Sequence, residues 1–141
     1  MASTVIVRMR TCSKTTRVTA EVQDDGDSIK IRIASDCRNV MNYAALLGDT
    51  IHVSDVAEWK GSRVVDPEIR QPLSIPCLVP NAIFDAAWEE IGMLSKHLAQ
   101  DMAKENSIEF EKEGAERADR RRSHSGPSGT ERFVSASGRR I

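Results

Sequence analysis

No stretch of this 141-residue sequence approaches the roughly 18 consecutive apolar residues that a bilayer crossing requires, so no membrane span is expected. The short apolar run near the start, "STVIV", precedes Arg8 and Arg10 instead of following them. A secretory leader has the opposite order, and a cytoplasmic protein is expected. Aromatic residues make up only 4% of the chain, too few for a surface that stacks bases. Neither G-x-x-x-x-G-K-[ST] nor G-x-G-x-x-G occurs, so no nucleotide cofactor is expected. The absence of G-x-S-x-G removes one familiar setting for a serine nucleophile. Cysteine is sparse as well: there are three, an odd number that excludes a complete disulfide framework, and no two form a C-x-x-C pair.

What is present is patterned. "STVIVRMR" and "TTRVTAEVQ" alternate, and in the second Val18, Ala20 and Val22 share one face while Arg17, Thr19 and Glu21 share the other. "DDGD" at 24–27 has the chemistry of a tight hairpin turn, and "SIKIRIA" then alternates again. The pattern predicts a strand over 4–10 and a hairpin over 15–34. The period then becomes helical: Val40, Met41, Ala44 and Leu47 predict a helix over 36–47, capped by Ser35 or Asp36 and stopped at Gly48. Ile83, Ala87, Ile91 and Leu94 predict a second helix over 80–98, which Gly92 weakens. "SDVAEW" and "DPEI" read as short helices, the second with an Asp cap followed by proline. "SIEF" alternates and makes 107–111 a candidate returning strand. These elements define an α+β domain over 1–113, an antiparallel sheet with amphipathic helices on one face.

Net charge is −1, but it is unevenly spread. Residues 1–113 carry 13 Lys and Arg against 18 Asp and Glu; residues 114–141 carry 7 Arg against 3 acids. The arginine-rich 114–141 segment has almost nothing to bury and is expected to be a disordered basic tail. A basic extension on an acidic body is more often solvated than bound to nucleic acid, so nucleic acid is not an expected partner.

The three cysteines lie 25 and 40 positions apart, yet each sits at the start of an element. Cys12 follows the first strand, Cys37 opens a helix, and Cys77 stands just ahead of the last long helix. If those joins share one end of the sheet, three sulfurs meet there. Helix starts favour thiolate, the form that binds soft metals or attacks sulfur electrophiles. Three thiolates would leave a fourth position, for which Asp36 or His52 is the candidate ligand. Against this, each cysteine taken singly is more often a packing residue, and Asp36 is more often only a cap.

The words "TCSKT", "ASDCRNV" and "PCLVPNAIFDAA", in that order over about residues 4–98, resemble the U-type iron–sulfur cluster assembly scaffold proteins. The resemblance implies that Cys12, Cys37 and Cys77 bind zinc or an iron–sulfur cluster, with a sulfur-donor or cluster-acceptor protein as partner. The chain departs from that family at Lys14, where an acidic residue is usual, and at Pro76, where histidine is usual. A basic, proline-containing chaperone-recognition motif is missing between Val65 and Ile75. "SDC" and "C-x-V-P" are also similar to a group of uncharacterised small proteins of anaerobic microbes. The leading expectation is a metal- or cluster-binding scaffold with a three-cysteine site. The alternative is a small non-metal protein–protein interaction module whose cysteines belong to the core. A thiol enzyme is a third reading, but no positioned base supports it. The oligomeric state is open.

Overall fold

Three alternating segments become three strands because each has one face that gains by leaving water. The computed structural model describes residues 2–113. β1 spans Ser3–Met9, β2 Lys14–Val22 and β3 Ser28–Ser35, joined antiparallel, with Val5 opposite Val18 and Val18 opposite Ile33. Val18, Ala20, Ile29 and Ile31 are buried on one face. On the other, Arg8, Arg17 and Arg32 are exposed. The β2–β3 turn is held by Asp25, whose carboxylate accepts from the backbone N–H groups of Asp27 (2.9 Å) and Ser28 (2.8 Å) and from the Ser28 hydroxyl (2.7 Å). Those bonds stabilise the charged form and hold its pKa down at about 2.

Several helices pack on the apolar face. α1 (Arg38–Leu47) buries Val40, Tyr43 and Leu47, and ends where Gly48 takes φ 84°, a conformation that favours glycine. β4 (Thr50–His52) then returns along β3, opposite Ser28, Ile29 and Lys30 only. The sheet order is β1-β2-β3-β4. α2 (Val53–Ala57), a 3₁₀ turn (Arg63–Val65) and α3 (Pro67–Arg70) lead to α4 (Val79–Glu90), which lies against β1 and β2. There the Glu90 side chain, 3% exposed, accepts from Ser3 Oγ (2.9 Å) and from the Val22 N–H (3.3 Å), and Lys96 pairs with it at 3.5 Å.

Several boundaries differ from those the sequence predicts. The first helix begins at Arg38 with Cys37 in the cap position, since Asp36 spends its carboxylate on the Thr15 N–H of β2 at 3.0 Å. The last long helix ends at Glu90, ahead of Gly92 at φ 82°, and a π-type segment follows over His97–Ala103. β4 is a strand the sequence reading lacked. Residues 107–111 carry no regular secondary structure. Contacts divide the chain into a unit over Met1–Glu105 and another over Asn106–Ile141. The expected tail, 114–141, lies outside the described residues.

Candidate functional site

Cys12 lies in the tight β1–β2 turn, next to Ser13 at φ 59°, and is exposed, with its thiol directed at the Met9 carbonyl 3.8 Å away. Cys37 caps α1 at the end of β3, where its N–H donates to Ser35 Oγ at 3.1 Å. Cys77 stands two residues before α4. All three are free thiols, and all three line one cleft of about 220 Å³, together with Met9, Lys14, Val40, Leu73 and Val79. Cys37 and Cys77 also pack against the core.

Sharing a cleft is not the same as forming a ligand set. Among the described residues, no group of three or more His, Cys, Asp or Glu is placed to hold a metal ion. The expectation of a zinc or iron–sulfur site at Cys12, Cys37 and Cys77 is therefore corrected. So is the resemblance to the iron–sulfur scaffold proteins from which it drew its force. The physical reasons are local. Burial pushes the Cys77 thiol above the ordinary range, with the Val79 N–H and Arg70 opposing that weakly, so the protonated form prevails at neutral pH. The Arg70 guanidinium is committed to the carbonyls of Ser74 (3.1 Å), Ile75 (2.9 Å) and Cys77 (3.3 Å). The walls are largely apolar. The two candidate fourth ligands are engaged elsewhere. Asp36 is bonded to β2, as above. His52 pairs with Ser28 at the start of β3, while Cys37 follows its end; seven strand steps of about 3.3 Å separate the two levels. The His52 ring meets Asp27 Oδ2 at 3.1 Å.

A second surface feature depends on how little of β3 is covered by β4. β4 pairs with the first three of the eight residues of β3, and the Ile31 N–H is then taken by the Asp49 carbonyl at 2.8 Å. Strand alternation aims the Ile33 N–H and C=O to the same outer side, where no described backbone group meets them. Beside this open edge lies a groove of about 350 Å³, lined by Ile31, Ile33, Met41, Ala44, Ala45, Gly48 and Asp49. Met41 and Ala45 are exposed on the rim. On the opposite face of the same strand, Arg32 is exposed and makes no ion pair among the described residues, whereas Lys30 pairs with Asp49 at 3.9 Å. Arg17 belongs to this face too, one strand away and opposite Ala34.

A family model described as "Family of unknown function (DUF6951)" matches residues 3–102, and the chain belongs to that family. The match covers the sheet, every helix through α4 and most of the π-type segment. No curated protein and no solved structure matches the chain. Among the described residues, no helix is long and apolar enough to cross a membrane.

Proposed function

We propose that this domain is a non-metal protein–protein interaction module of the cytoplasm, and that its contact site is the uncovered edge of β3 with the groove beside α1. One observation carries the reading: among the described residues, an open backbone edge at Ile33 adjoins an apolar groove on one side of the sheet and, on the other, an exposed Arg32 that makes no ion pair. Strand addition needs those parts together. An extended segment gains main-chain hydrogen bonds from the edge, and its alternate side chains are read by the groove. Sheet edges left open by β4 are otherwise a hazard, usually blunted by charge, proline or a covering element. Three free thiols suit a reducing compartment. The cysteines then have a packing role at Cys37 and Cys77, and the thiol cleft is not the contact site.

Selection from displayed short peptides tests the mode without assuming a partner. Enriched sequences are expected to alternate apolar and polar residues, with acids facing Arg32. Ala45→Arg, at an exposed rim position, is expected to abolish their binding while leaving the melting temperature unchanged. Ligands with helical spacing, or binding indifferent to Ala45→Arg, would sink the reading.

A further inference from the structure

The groove and the edge specify an occupant: four or five extended residues with large apolar side chains on one side and acids on the other. The chain contains such a segment. In extended form, Ser107-Ile108-Glu109-Phe110-Glu111 places Ile108 and Phe110 on one side and Glu109 and Glu111 on the other. Both apolar residues are exposed among the described residues, Ile108 at 71% and Phe110 at 82%. We infer that residues 107–111 of a second copy of this chain add as a strand to the free edge of β3. This deepens the strand-addition reading above and rests on it.

Chemical matching supports the pairing. Ile108 and Phe110 fill the groove between Ile33 and Met41, while the Ile33 N–H and C=O bond to the incoming backbone. Glu109 and Glu111 come up on the side of Arg32, which makes no ion pair among the described residues, with Arg17 one strand further in. Beyond Ile31, whose N–H is taken by Asp49, the uncovered part of β3 runs from Arg32 to Ser35, four residues, and the donated segment is long enough to span it. A second copy also explains how the contact closes: each chain gives one segment and receives one, an isologous exchange that stops at a dimer.

Sedimentation velocity of the full chain, from low micromolar to near-millimolar concentration, tests this. A monomer–dimer equilibrium is expected. Phe110→Ser and Ala45→Arg should each raise its dissociation constant about tenfold or more. Arg32→Glu should weaken it likewise, and Glu109→Lys with Glu111→Lys in the same chain should restore it. A chain that stays monomeric, or a dimer indifferent to these changes, overturns the inference. So does protection of the Ile33 amide that does not vary with concentration, which would mean the segment docks within its own chain. Should displayed strands bind the groove while the full chain remains monomeric, only the second copy is lost; should neither bind, strand addition goes too.

Discussion

Single side chains decide which thiol chemistry this fold can support. Cys77 sits against the core beside an arginine already bonded to three carbonyls, and burial favours its neutral form. A thiol whose folded pKa is raised adds stability that is complete below the unfolded value of about 8.5, and that stability is lost as pH rises through the folded value. Iodoacetamide should therefore modify exposed Cys12 first at neutral pH. Cys77 should react more slowly, its rate still climbing above the ordinary thiol range. Fast modification of Cys77 at neutral pH, followed by mass spectrometry, would restore the thiol-enzyme reading. The residue scale is also where the sequence was least informative. The three cysteines do line one cleft, and their placement at element starts was the signal for it. Whether their sulfurs can share an ion depends on turn geometry and side-chain direction, which spacing does not encode. Asp36 shows the same limit. A cap was the natural expectation, yet the Thr15 N–H, contributed by a strand 21 positions earlier, takes the carboxylate instead.

At the scale of elements, the short ones depend on one buried acid. Asp55 accepts from the Arg63 N–H through Oδ1 (3.0 Å) and from the His52 N–H through Oδ2 (2.9 Å), so a single carboxylate ties together β4, α2 and the 3₁₀ turn. Arg63 continues the tie, donating to the carbonyls of Leu47 (2.6 Å) and Thr50 (3.1 Å). Replacing Asp55 with Ala leaves two backbone donors without partners and should cost about 3 kcal/mol. Asp55→Asn, which keeps one acceptor, should cost less; urea denaturation of the two variants measures the difference. Equal stability of both with the parent would show that the tie is dispensable. The long periodic elements were legible, the hairpin by its period of two around "DDGD" and α1 and α4 by their apolar stripes, and the four-residue α3 was legible by its Asp-Pro start. β4 was not, because three residues carry no usable period and its pairing is decided by β3. The end of α4 was half legible, since Gly92 marked the weak point but not the turn it makes.

For the whole molecule, the proposed contact site is the uncovered half of β3 and not the thiol cleft. It exists because β4 is short, a tertiary fact that no local pattern announces, and this is why the sequence pointed to cysteines and not to an edge. The charge arrangement agrees with that shift of attention. Although residues 1–113 are acidic overall, the sheet face away from the helices presents Arg8, Arg17 and Arg32, a local surface opposite in sign to the acidic segment we propose for it. Amide hydrogen exchange, followed by NMR on the full chain with the tightest displayed peptide, tests the central claim most directly. Arg32 and Ala34 direct their amides to β2 and should change little, whereas Ile33 should gain protection on binding. Protection centred on Cys12, Cys37 and Cys77, with Ile33 unaffected, would contradict the account.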